Sequence, residues 1–312
     1  MTGPDGVPAA WFDDATLVAC LPPHLRAYAA YSRLAVNRQT GRVPGGSFLL
    51  RVIHRTTPAL HLPRDARVLI AGRSVHVDLT DARFLWVLDE VRGLGHEHRV
   101  MKALLRPGDT FLDIGANHGS FAILASHLVG RTGLVIAVEP QPRLAGLIRR
   151  SLAEAPAPFE VHAVALGERD ADAVLHIPRS GSGAASVAAP PQGMSQSITV
   201  PLRRADELLA WRAFPGSLLV KLDIEGGELP FLHGATAMLR ERRPAIVFEI
   251  SPAQAHAAGY QPRDLVAVLG AMGYEDFAEV DRYPEKVPGR DLKLERQRNV
   301  LAMPGPMGVK GA

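Results

Sequence analysis

Acidic side chains recur at the ends of apolar runs in this chain. Asp113 lies near the end of TFLDI at 110–114, and Glu139 directly follows LVIAV at 134–138. Asp223 and Glu225 close the run beginning at 217, and Glu249 closes the one at 245–248. Carboxylates so placed can take a proton from a hydroxyl, ligate a divalent ion such as magnesium, or attract a cation. The densest group is KLDIEGGE at 221–228, where Asp223, Glu225 and Glu228 stand beside two glycines. In a strand, residues two apart share a face, although Glu225 already falls in the loop beyond. Asp223 and Glu225 are the candidates for a base or for ion ligands; capping of their own loop through backbone N–H groups is the plainer role. His118, in DIGANHG at 113–119, is a second base candidate, with an exposed turn residue as its alternative.

The element that must position this chemistry is PGDTFLDIGANHG at 107–119, a buried strand, a tight glycine turn and the start of a helix from Ser120. Gly115 and Gly119 bracket the turn. Such a junction is expected to offer free backbone N–H groups and a helix N-terminus to a carboxylate or phosphate. A dinucleotide loop would carry a second glycine two residues after Gly115, but Asn117 stands there. Asp113 is expected to point into the pocket. An acidic rim disfavours a diphosphate and suits an ammonium or sulfonium, so S-adenosylmethionine is a natural ligand, alongside other ligands of α/β sheets.

Glu139 stands 26 residues after Asp113, about one βαβ step, where an acid accepts the ribose hydroxyls of an adenosine. That acid alone does not separate a nicotinamide cofactor from a methyl donor. Ala165 and Leu166, after the third strand, occupy the position that brackets an adenine.

The 312 residues suit one α/β domain with extensions, and 47% hydrophobic residues are ample for a core. With a net charge of +3 and arginines spread along the chain, no block argues for nucleic acid. The single cysteine, Cys20, excludes an internal disulfide and a cysteine-based zinc site. No apolar run is long enough to span a membrane and no secretory signal is visible, so a cytoplasmic protein is expected. Oligomeric state is not legible.

In order, residues 1–75 read as an N-terminal extension or cap, 76–303 as the catalytic domain and 304–312 as a disordered tail. Within the extension, helical stretches are expected over 14–37, a turn at 42–46 and a strand at 48–54. A strand at 74–79 precedes a helix at 82–93. His96, Glu97 and His98 invite a metal reading, but adjacent residues point different ways, so they read rather as solvated residues before a helix at 99–105. Strands at 110–114, 134–138 and 159–166 alternate with helices, the pattern of a parallel sheet covered on both faces. A strand pair at 173–178 and 198–202 flanks a small-residue loop, 179–197, that could serve as a lid or be a plain insertion. A helix from 206, a strand at 217–223, a helix at 229–239, a strand at 245–248, a helix at 262–272 and strands at 274–280 and 299–302 complete the pattern.

DIGANHG at 113–119, VEPQP at 138–142, KLDIEGGE at 221–228 with LHGA at 232–235, and FEIS at 248–251 together resemble the FkbM family of S-adenosylmethionine-dependent methyltransferases. The resemblance covers roughly residues 96–282. It implies a class I methyltransferase fold, a Rossmann-like, mostly parallel seven-stranded sheet with helices on both faces. It also implies O-methylation of a small molecule bearing a hydroxyl, commonly a sugar or secondary metabolite. Carried over by position, Asp113, Gly115, Ala116, Asn117 and Gly119 would surround the methionine part of the donor. Glu139 and Pro140 would hold the ribose, and Ala165 and Leu166 the adenine. Asp223 would touch the donor and, with Glu225, line the reaction side. The rivals are a nicotinamide-dependent oxidoreductase, disfavoured by Asn117 and the lack of a Tyr-x-x-x-Lys pair, and a donor-binding protein without catalysis.

Overall fold

In the computed structural model, residues 65–78, 81, 83–178, 181–188, 195–209 and 214–305 are described. The helices expected at 14–37, the turn at 42–46, the strand at 48–54 and Cys20 lie outside them. The first described element is a hairpin, β1 (Asp65–Ile70) paired antiparallel with β2 (Arg73–Asp78), which crosses the boundary expected at 75. Two helices follow, α1 (Phe84–Val91) and α2 (His96–Leu104). The second starts three residues earlier than expected. His98 is buried rather than solvated, its Nδ1 against the Gly93 carbonyl.

The main unit then alternates strand and helix: β3 (Thr110–Ile114), α3 (Ser120–Val129), β4 (Leu134–Val138), α4 (Pro142–Leu152) and β5 (Phe159–His162). β6 (Ala165–Gly167), β7 (Ala171–Pro178) and β8 (Ser195–Arg204) form a separate three-stranded sheet in the order β6-β8-β7. The single strand expected at 159–166 is therefore two strands in two sheets. After α5 (Ala205–Leu209) come β9 (Leu218–Leu222), α6 (Glu228–Gly234), α7 (Thr236–Arg242), β10 (Ala245–Ile250), α8 (Pro252–Ala257) and α9 (Pro262–Ala271). β11 (Tyr274–Glu279), β12 (Val287–Pro288) and β13 (Arg298–Pro304) finish the fold. Pro304 belongs to this last strand and the Gly305 N–H donates to the Gly273 carbonyl, so the sheet reaches past the expected start of the tail.

The principal sheet has the order β12-β11-β13-β10-β9-β3-β4-β5. β5, β4, β3, β9 and β10 run parallel, and β13 is antiparallel to both neighbours. Among the described residues it holds eight strands, one of them the two-residue β12 on the edge. Period-two alternation divides the core between its faces: Phe111, Val135 and Leu219 pack on one side, Leu112, Ile136 and Val220 on the other. Asp113 and Lys221 continue the first set, and they are register partners across β3 and β9. Their side chains therefore lie on the face that α3 covers. No helix of the described residues is long and apolar enough to cross a membrane.

Candidate functional site

β3 leaves the sheet through Gly115, Ala116 and Asn117 before α3 begins. Gly115 and Gly119 have φ of +79°, and Asn117 has +54°. A Cβ on Gly115 would lie 1.9 Å from the Asp223 carbonyl oxygen, so glycine is required both for the turn and for the approach of the strand beside it. The turn spends its own donors. Gly115 and Ala116 N–H donate to the Val138 carbonyl at 3.0 and 3.1 Å, and Gly119 N–H to Ala116 at 2.7 Å. Asn117 N–H donates to Glu139 Oε2 at 2.9 Å. Four of the N–H groups of this turn, those of Gly115, Ala116, Asn117 and Gly119, are thus engaged within the protein.

Above the turn lies a cleft of about 760 Å³, partly open to solvent. Gly115, Ala116, Asn117, Glu139, Pro140, Ala165, Leu166, Asp223 and Glu225 line it, brought together from four separate stretches of sequence. Asp113, His118 and Gly119 do not. Asp113 is fully buried beneath α3, and neither carboxylate oxygen has a hydrogen bond of normal geometry. Burial raises its pKa to about 6, opposed mainly by the Lys221 charge. It does not point into the cleft. Its negative charge acts there through Lys221.

His118 is 1% exposed, neither an exposed turn residue nor a cleft base. Asn117 Nδ2 donates to Ser182 Oγ at 2.8 Å, which leaves Asn117 Oδ1 to accept from His118 Nδ1 at 2.6 Å. Burial lowers the ring's pKa to about 4, so it stays neutral and braces the turn from behind.

Glu139, 3% exposed, accepts the Asn117 and Gln141 N–H groups at 2.9 Å, one on each oxygen. The Gln141 side chain also hydrogen-bonds to it, and since a carboxylate offers about four lone-pair sites, acceptor capacity remains. Burial raises its pKa to about 7, with those two N–H groups opposing.

The acids after β9 divide by role. Asp223 Oδ2 accepts from Lys221 Nζ at 2.9 Å, and that ammonium sits 4.7 Å from the centre of the Phe121 ring. Burial would raise the Asp223 pKa, but Lys221 and Arg83 prevail and hold it below the ordinary value. Glu225, at a left-handed φ of +56°, is pushed up to about 9 by burial and then by Asp223, Glu249 and Glu228. A non-glycine residue held there stores strain of the kind found at functional sites. Glu249 is pushed up to about 7 by burial and Asp223; Gln297 donates to its Oε1 at 2.7 Å. Asp223, Glu225 and Glu249 each offer a carboxylate oxygen within 4.8 Å of the others. Loop capping falls to Glu228, which accepts the Ile224 and Gly226 N–H groups at 3.0 Å and the Tyr260 hydroxyl at 2.9 Å.

A pH dependence follows. Glu139, Glu225 and Glu249 bind protons more tightly folded than unfolded, so stability falls as pH rises from about 4.5 through their folded values toward about 9. Asp223, held low, acts below that window. Buried histidines with lowered pKa, His118 among them, oppose this below about pH 6.5, so the thermal midpoint is expected to drop between about pH 7 and 9, with Glu225→Gln flattening the fall. A midpoint constant over this range would contradict the assignment.

The far wall comes from the loop after β7. Its 3₁₀ turn, Ser182–Ala184, is tied by the Ser182 N–H to the Asp81 carboxylate at 3.1 Å and by Asn117. Ser186 Oγ donates to the Glu225 carbonyl at 2.7 Å. The small-residue loop is thus part of the site, with Ser182, Gly183, Ala185 and Val187 facing the cleft. Sequence reasoning missed Arg83, Phe121, Gln141 and Lys221, which also line it. Lys221 stood inside the KLDIEGGE block and could have been found from its period-two relation to Asp223; Arg83 carried no local signal.

Among proteins similar to this chain is the hexuronic acid methyltransferase AglP of Haloferax volcanii, 26% identical over 239 residues, 75% of this chain and 91% of that protein. A crystal structure of a methyltransferase FkbM from Methylobacillus flagellatus is 15% identical with a TM-score of 0.38, covering 83% of this chain and 60% of that one. Fibrillarin of Aeropyrum pernix, in complex with natively bound S-adenosyl-L-methionine, is 14% identical with a TM-score of 0.36, over 65% of this chain and 71% of that one. The methyltransferase FkbM domain matches residues 113–276, from the aspartate of β3 to the third residue of β11. The chain belongs to the FkbM methyltransferase family.

Proposed function

We propose that this protein moves a methyl group from S-adenosylmethionine to a hydroxyl oxygen of a small sugar-like acceptor, with a hexuronic acid the favoured class. The observation that carries the reading is Glu139, a buried carboxylate at the end of β4 that faces the cleft with acceptor capacity to spare. It suits the vicinal hydroxyls of a ribose. Apolar Ala165 and Leu166 suit an adenine. The acceptor class is argued from the name of the haloarchaeal relative. Membership of a methyltransferase family leaves the nicotinamide reading without support.

When bound, S-adenosylmethionine supplies an electrophilic methyl group with a neutral leaving group, so no acid is needed on the leaving side. The protein's part is to hold the acceptor oxygen in line and receive its proton. Asp223 is ionised at neutral pH and keeps one oxygen clear of Lys221. A second reading, favoured by the three converging carboxylates, is that a magnesium ion sits between Asp223, Glu225 and Glu249 and lowers the hydroxyl's pKa.

One titration tests both readings: calorimetry with S-adenosylhomocysteine, with and without magnesium. Saturable one-to-one binding supports the donor site, and no binding in either buffer overturns it. Binding that changes with magnesium, and no longer does in Glu249→Gln, supports the ion. Glu139→Ala is expected to weaken S-adenosylhomocysteine by roughly ten- to a hundredfold, since hydrogen bonds to a charged acceptor are lost. Equal affinity in wild type and variant would remove the ribose assignment.

A further inference from the structure

Among the described residues the cleft offers several acids to a cation and fewer groups to an anion. The backbone donors of the Gly115 turn that face it are spent on Val138 and Glu139. Two cationic side chains line the cleft among the described residues, Arg83 and Lys221. Lys221 is committed, bound to Asp223, beside Asp113 in register and stacked on Phe121. Arg83 is differently placed. It caps the start of α1, and its Nη2 donates to Glu90 Oε1 at 2.6 Å. Glu90 in turn accepts the hydroxyl of Ser120, the first residue of α3. One acid therefore orients both the guanidinium and the first turn of the helix.

The loop opposite completes the clamp. A Cβ on Gly183 would meet Arg83 Cδ at 3.0 Å and Nε at 3.3 Å, so the glycine lets the loop lie flat on the arginine stem. Held by Glu90 at one nitrogen and by Gly183 along its stem, the guanidinium still has N–H groups on its other edges to offer. A planar fork of this kind fits a carboxylate.

We infer that Arg83 is the cleft's carboxylate-binding residue, fixed by Glu90 and Gly183 to receive the acid group of a bound ligand. The ligand carboxylate can be that of the donor's amino-acid end or that of an acidic acceptor. The inference rests on the proposed function and adds to it the residue that reads the negative charge.

The test compares wild type, Arg83→Gln and Arg83→Lys by calorimetry, with thermal melting to confirm folding. The probes are S-adenosylhomocysteine against its decarboxylated form, and glucuronate against glucose. If the donor's acid is read, Arg83→Gln weakens S-adenosylhomocysteine by about tenfold or more and leaves the decarboxylated form nearly unchanged. If the acceptor's acid is read, glucuronate loses affinity and glucose does not. Arg83→Lys, which keeps the charge without the fork, falls between. Unchanged affinity for both acids, or equal losses for each acid and its uncharged counterpart, overturns the inference. Should wild type fail to bind S-adenosylhomocysteine while binding glucuronate, the donor reading fails and the acceptor arm still decides on Arg83. Should it bind neither, both fall.

Discussion

Gly115→Ala is expected to lower the thermal midpoint by roughly 5–15 °C and to weaken S-adenosylhomocysteine at least about tenfold. Two costs combine. The residue sits at φ +79°, where a side chain costs roughly 1–2 kcal/mol. Its Cβ would also stand 1.9 Å from the Asp223 carbonyl oxygen, inside any permissible contact. That carbonyl is backbone, so it cannot swing aside. Either β3 and β9 separate at their ends or the turn rebuilds, and overpacking of this kind costs roughly a further 1–3 kcal/mol. The same movement displaces Asp223, whose N–H donates to the Ile114 carbonyl at 3.1 Å, and so carries damage from the donor side of the cleft to the acidic side. Gly146→Ala is the control. Gly146 lies within α4, and a methyl group added there would meet nothing within 4 Å. Alanine at that position is expected to stabilise by about 0.5–1 kcal/mol. Equal midpoints for the two variants would refute the steric account.

The contrast between these glycines shows what a sequence can and cannot reveal. The strand, turn and helix around Gly115 were legible because local pattern carries them: a buried run, two glycines, then helical spacing. The same holds for Glu139, which needs only a strand end at the right distance from Asp113. Sheet membership was less accessible. The run 159–166 has no glycine or proline to break one strand, yet His162 ends its pairing with β4 and Ala165 begins pairing with β8. Period-two alternation does not say which sheet a strand will join. The helix expected at 229–239 is likewise two, because α6 ends at Gly234, where a Cβ would lie 1.9 Å from the Gly167 carbonyl. That contact joins residues far apart in sequence.

Side-chain direction was the second gap. Asp113 and His118 sit within the motif but do not line the cleft: Asp113 shares its face with Lys221 but is buried beneath α3, and beside the left-handed Asn117 the next side chain is buried. Arg83 and the Ser182–Ala184 turn meet through contacts about a hundred residues apart, such as Gly183 on the Arg83 stem and the Ser182 N–H on Asp81. Family motifs mark residues that recur in a block. They do not mark those that arrive from elsewhere to close it.

The largest expected effect on chemistry is at Asp223. Asp223→Asn is expected to lower turnover by about 10²–10⁴-fold while S-adenosylhomocysteine affinity stays within about threefold, since asparagine keeps the shape and loses the capacity to take a proton. The pH profile separates Asp223 from its neighbour. Asp223 is held below its ordinary pKa because Lys221 and Arg83 outweigh burial, so it is ionised across the neutral range. As the base it gives a rate that is flat above about pH 6. Glu225, pushed up to about 9, is ionised in only about one molecule in a hundred at pH 7. As the base it gives a rate that climbs about tenfold per pH unit until about 9, and Glu225→Gln abolishes the climb. Wild-type turnover that is flat with pH and lost in Asp223→Asn assigns the proton to Asp223. A climb removed by Glu225→Gln, with Asp223→Asn still active, assigns it to Glu225; the Lys221 pair then serves to keep a fixed negative charge beside the reacting groups.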